Sequence, residues 1–163
     1  MRQSASKLIE RDELSRLGSE LRAAGKKIVL ANGCFDILHV GHVRYLAGAR
    51  AEGDVLVVGL NADTGVQGLK GPGRPVLNEQ ARAALVAAVR EVDYVVIFPE
   101  PNVEALLSEL NPHVHAKGTD YTVETVPEKA IADSLGIRVA IVGDSKDHST
   151  CELLQTVRKA RHE

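Results

Sequence analysis

The chain has no tryptophan, and its aromatic complement is three tyrosines and two phenylalanines, 3% of 163 residues. Base-stacking platforms for single-stranded nucleic acid need more aromatic surface than that. An excess of either charge is also lacking. Twenty Lys and Arg against 22 Asp and Glu leave a formal net charge of -2, which provides no basic field for sequence-independent binding to nucleic acid. Cysteine is scarce, with only Cys34 and Cys151, so a disulfide framework is excluded and a reducing, cytoplasmic setting is expected. No apolar run approaches the 18 residues of a membrane span, and the N-terminus has no apolar core of a signal peptide. The expectation is therefore a soluble protein with partners other than nucleic acid or membrane.

What is present is a chain 44% hydrophobic and 26% charged, enough for one well-buried core. Short apolar runs alternate with segments of helical spacing. Strands are predicted at 27–31, 55–60, 94–98, 113–116 and 138–142, and helices at 43–50, 78–89, 103–110 and 127–135, with Asn78 as a cap and Gly136 as a stop. Residues 11–24 place Leu14, Leu17 and Leu21 on one helical face ahead of this series, so residues 1–25 read as an N-terminal helical extension. The alternation predicts an α/β fold, a doubly wound parallel sheet with right-handed crossovers in a single domain. Residues 61–77 hold four of the 14 glycines and two of the six prolines, and they read as a mobile loop over the ligand crevice.

The stretch Ala31-Asn32-Gly33-Cys34-Phe35-Asp36-Ile37-Leu38-His39-Val40-Gly41-His42 joins the first predicted strand to the first predicted helix. In open α/β sheets such a connection lies at the carboxyl end of a strand, where ligands bind, and the free N–H groups of the helix start attract anions. His39 and His42 sit there, and Gly41 allows close backbone approach. A zinc site on Cys34, His39 and His42 lacks a fourth ligand in paired spacing, so no protein-held metal is expected. No P-loop and no Gly-x-Gly-x-x-Gly fingerprint is present, which removes the main support for kinase and dinucleotide-dehydrogenase readings.

Asn32-Gly33-Cys34-Phe35-Asp36 followed by His39-Val40-Gly41-His42 resembles the opening signature of the cytidylyltransferase-like nucleotidyltransferases. Leu69-Lys70-Gly71-Pro72-Gly73-Arg74-Pro75, Arg82, Lys117-Gly118-Thr119-Asp120-Tyr121 and Ser149-Thr150 resemble, within that superfamily, the heptose 1-phosphate adenylyltransferases. The resemblance implies a Rossmann-like nucleotidyltransferase domain over residues 26–163, and it implies transfer of AMP from ATP to a sugar 1-phosphate. Mg²⁺ would arrive with the ATP, and a homodimer is implied.

It further implies catalytic roles for His39, His42 and Lys70. Nucleotide contacts would come from Asn32, Gly33, Cys34, Phe35, Gly41, His42, Lys117, Gly118, Asp120, Ser149 and Thr150. Acceptor contacts would come from Asp36, Asn61, Asp63, Arg74 and Arg82, although Asp36 by its sign more readily orients the loop, and a lone helical Arg82 also reads as a surface charge. Cys151, Glu152 and Thr119 depart from the family pattern. Two alternatives follow: a CTP enzyme like glycerol 3-phosphate cytidylyltransferase, and a nucleotide-binding regulatory module without turnover.

Overall fold

A computed structural model describes residues 4–144 and residue 157. Among the described residues the strands and α-helices follow one another as β1 Leu8–Ile9, α1 Leu14–Ala23, β2 Ile28–Gly33, α2 Val40–Ala51, β3 Val55–Asn61, α3 Asp63–Lys70, α4 Glu79–Ala88, β4 Tyr94–Phe98, α5 Glu104–Leu110, β5 Val114–Gly118, α6 Lys129–Ser134 and β6 Arg138–Val142. The strands form one six-stranded sheet in the order β1-β4-β3-β2-β5-β6, and every pairing is parallel. Because both sheet faces are covered, the central strands are continuous apolar runs. β3 is buried at all seven positions, as a strand between two helical layers must be.

Two apolar clusters fill the layers. One joins Val29, Ala31, Leu56, Val58 and Leu60 to Leu46 and Ala49 of α2 and Ala83, Val86 and Ala87 of α4. The other joins Ile28, Leu30, Val57 and Val96 to Leu14 and Leu17 of α1 and Leu106, Leu107 and Leu110 of α5. The alternation along each strand sends successive side chains to opposite layers. Hence α1 covers the sheet, and the N-terminal segment also adds an edge strand, β1, which pairs Leu8 with Val95 and Ile9 with Val96. Two residues are too few for a periodicity signal, so this strand escaped the sequence reading.

The expected loop over residues 61–77 is corrected in part, because its first half is helix α3. Two glycines inside eight residues hid the helix, and a single buried Val66 anchors it. Its end is set by Gly71 at φ 87°, a left-handed conformation that glycine adopts without steric cost. The other predicted elements are present with shifts of a few residues, and Asn78 caps α4 by accepting the Ala81 N–H at 2.9 Å.

The turn from α2 to β3 rests on Gly53. A Cβ there would lie 2.6 Å from the Lys27 carbonyl oxygen and 2.7 Å from Val29 Cγ2. That carbonyl already accepts the Asp54 and Val55 N–H groups at 2.8 and 3.2 Å, so it cannot retreat cheaply. Gly53→Ala is expected to destabilise the fold by about 1–3 kcal/mol, the usual cost of overpacking, measured as a lower midpoint in urea denaturation.

Candidate active site

From β2 the chain steps outward to β3 and β4 on one side, then returns to place β5 on the other side of β2. The crevice at the carboxyl ends of β2 and β5 is therefore the topological switch point, where ligands of such sheets bind. The sequence puts Asn32 and Gly33 at the end of β2, the start of α2 just beyond, and Lys117 and Gly118 at the end of β5. These three segments converge because their strands pair in register, Ala31 beside Ala116.

At the helix start His39 is the N-cap, extended at φ -140° and ψ 172°, and it forms a capping box with His42. His42 Nδ1 accepts the His39 N–H at 3.4 Å. Where Nδ1 accepts, a neutral imidazole carries its proton on Nε2, which leaves His42 an Nε2–H donor. The two rings stack with centroids 3.8 Å apart, and Phe35 lies tilted against His42 at 5.1 Å. Phe35 has a positive φ of 46°, a strained backbone for an aromatic residue. Gly33 accommodates it, since a Cβ there would meet the Phe35 ring at 3.1 Å. The loop thus holds two imidazoles at the positive end of a 12-residue helix, a pairing suited to anions.

Cys34 is a structural donor. Its Sγ lies 3.8 Å from Asn61 Oδ1. Burial pushes the thiol's pKa up, against the pull of Lys70, the strongest of the charges acting on it, and of Arg82. A thiolate nucleophile is therefore not what this loop presents.

Asn32 is fixed by residues that the sequence reading passed over. Its Oδ1 lies 3.1 Å from His115 Nε2, and its N–H reaches the Tyr45 hydroxyl at 3.4 Å while that hydroxyl donates to the Ala116 carbonyl at 2.8 Å. Tyr45 thereby ties α2 to β5 across the crevice. Lys117, also buried, lies 3.4 Å from Glu128 Oε2 and 4.8 Å from the Tyr121 ring centre. The signal for His115 was available, because a polar residue interrupts an otherwise buried strand. Nothing local marks Tyr45 or Glu128, which meet their partners only through the fold.

Burial, assisted by the Lys117 charge, lowers the His115 pKa from 6.5 to about 3. A base depressed in the folded state is protonated first in the unfolded chain. Stability is then full above pH 6.5 and falls as pH drops toward 3, by up to about 1.4 kcal/mol per pH unit for one proton. Urea denaturation at pH 7, 6 and 5 is expected to show this slope, and His115→Gln to flatten it.

Four of the five expected acceptor residues are engaged with one another, and the fifth, Asn61, with Cys34. Arg74 Nε and Asp36 Oδ2 are 2.5 Å apart, and Arg82 Nη2 and Asp63 Oδ1 are 2.7 Å apart. Asn61 is buried beside Cys34. The surface-charge reading of Arg82 is corrected: its side chain is 0% exposed, because α4 turns it into the protein to meet three acceptors. Lys70 is exposed and pairs with no carboxylate among the described residues. Gly41 lies in the first turn of α2, and Asp120 is exposed in the turn after β5. Thr119, a departure from the family pattern, donates its hydroxyl to the Asp144 carbonyl at 2.8 Å and so links the ends of β5 and β6. Ser149, Thr150, Cys151 and Glu152 lie outside the described residues.

The switch point of this parallel sheet carries stacked imidazoles on a helix start, and the family match and the relatives it has make the chain an enzyme of the nucleotidyltransferase class. The chain belongs to the cytidylyltransferase-like family, whose model matches residues 30–159. It is 47% identical over 154 residues to the bifunctional protein HldE of Pelobacter propionicus, covering 94% of this chain and 32% of that protein. It is 44% identical over 148 residues to the bifunctional protein HldE of Pseudomonas fluorescens, covering 91% and 31%. The chain thus spans about a third of the length of these relatives. Among solved structures, the lipopolysaccharide core biosynthesis protein from Thermoplasma volcanium superposes with a TM-score of 0.65 at 25% identity, over 75% of this chain and all of that one.

Proposed function

We propose that the chain transfers AMP from ATP to a sugar 1-phosphate, D-glycero-β-D-manno-heptose 1-phosphate in the first instance, releasing pyrophosphate. The observation that carries this reading is the His39–His42 pair at the α2 N-terminus, at the switch point of a parallel sheet. Similarity to bifunctional protein HldE and to a protein of lipopolysaccharide core biosynthesis supports a sugar acceptor.

The acceptor phosphate is largely dianionic at neutral pH, with a second pKa of about 6. It attacks the α-phosphorus directly, the new O–P bond forms as the bond to the bridging oxygen breaks, and the electron pair leaves with pyrophosphate. No general base is needed. What must be supplied is close approach of anions and stabilisation of charge on the α-phosphate and the leaving group. In this reading the His42 Nε2–H, His39, the α2 N-terminus and Lys70 supply it.

Asp36 and Asp63 are held by arginines. In this reading Mg²⁺ enters with the triphosphate, as nucleoside triphosphates usually carry it, and partly neutralises it.

The test is pyrophosphate release by the purified protein with Mg²⁺, crossing ATP and CTP against heptose 1-phosphates and glycerol 3-phosphate. Release with ATP and a heptose 1-phosphate is expected. Release only with CTP and glycerol 3-phosphate reassigns both substrates, and nucleotide binding without release across the panel favours a regulatory module.

A further inference from the structure

Arg82 and Asp36 both hold the backbone at Val76 and Leu77. Arg82 Nε donates to the Leu77 carbonyl at 3.0 Å, and Asp36 Oδ1 accepts the Val76 and Leu77 N–H groups at 2.6 and 3.4 Å. Each then reaches a second point on the segment before it. Arg82 Nη2 meets Asp63 at the start of α3 at 2.7 Å, and Asp36 meets Arg74 at 2.5 Å. Arg82 Nη1 also donates to the Cys34 carbonyl at 2.6 Å, which ties the arrangement to the histidine-bearing loop. Glu79 of α4 accepts the Asp63 N–H at 2.8 Å. Residues 63–77 are therefore fastened at both ends, whereas residues 67–70, 72 and 73 between the fasteners are exposed. Lys70 sits in that open middle, next to Gly71 and close to Gly73, both at positive φ.

We infer that Arg82 and Asp36 are positioning residues which fasten residues 63–77 as a tethered flap and so set where Lys70 meets the phosphates. The role assigned to Lys70 rests on the proposed nucleotidyl transfer; the fastening does not. Neither side chain has surface to offer a substrate, at 0% and 2% exposure. An arginine is required by geometry, since three acceptors on three segments call for a planar fork of donors that a lysine ammonium cannot reproduce. A buried carboxylate and a buried guanidinium are tolerated here because each is met by an opposite charge and by backbone partners.

The experiment combines kinetics with hydrogen exchange on Arg82→Lys and on Asp63→Asn, the latter a partly exposed position that spares the core if Arg82→Lys folds poorly. In both variants the Val76 and Leu77 amides are expected to exchange at least tenfold faster, with the amides of β2 and β3 unchanged. The urea midpoint of Arg82→Lys is expected to fall, because buried acceptors lose their donors, and turnover measured well below that midpoint is expected to fall about tenfold, as misplacement of a charge-stabilising group does. In the Lys70→Ala background the same change is expected to cost nothing further. Unchanged amide exchange in both variants overturns the fastening, and a full tenfold loss persisting without Lys70 overturns the positioning role. If the unmodified protein turns over no acceptor, the transfer reading fails while the exchange result still decides the fastening.

Discussion

His42→Ala is expected to lower turnover by about 10²–10³-fold while the protein remains folded, measured as steady-state pyrophosphate release with circular dichroism as the control. The size follows from removing one pre-placed donor from a site where charge develops. In this structure the donor is held from both sides. Its Nδ1 takes the His39 N–H and its ring stacks on His39, so the orientation of the imidazole is set by the fold, and in the proposed reaction its donor is placed without reorganisation. The cost to stability is small by comparison, about 0.5–1 kcal/mol for a weakened helix cap. Near-normal turnover would remove the histidine pair from the chemistry and leave the helix start as the only anion site of this loop.

Lys70→Ala is expected to lower turnover at saturating acceptor by about 10²-fold, or to raise the triphosphate requirement by a similar factor, with no change in urea midpoint. Lys70 is exposed at the end of α3, so its removal leaves no cavity and no unpaired buried group. Its charge nevertheless reaches the loop before α2, since it acts on Cys34 more strongly than Arg82, Asp36 or Arg74. Lys70→Arg is expected to recover part of the loss because the charge is retained while the reach and donor geometry differ. An unchanged rate for Lys70→Ala at all ATP concentrations would sink the role of this lysine and, with it, the chemical meaning of the flap.

These two residues were named through the family resemblance, which rests on short patterns: imidazoles three apart after an apolar strand, and a lysine beside a glycine-rich turn. The partners that give them position were not legible in that way. Asp36 and Asp63 read as acceptor-site groups, and nothing local showed that their carboxylates meet Arg74 and Arg82. Arg82 alone on a helix carries no pattern that distinguishes a solvent charge from a buried fork. Helix α3 was hidden by Gly65 and Gly68, which weaken helical propensity, and it forms because Val66 is buried against the sheet.

What the sequence determined by itself was therefore periodic or contiguous: the alternation of strands and helices that dictates a parallel sheet, the strand-to-helix junction, and the residue types placed on it. Those features depend on neighbours a few positions apart, and physical chemistry acts on them locally. The tertiary structure alone decided which polar groups remain open to ligands and which satisfy each other, since Asp36 and Arg74, Arg82 and Asp63, Asn32 and His115, and Lys117 and Glu128 are brought together by strand order and crossover, and burial then compels each charged or polar group to take the partner it finds there.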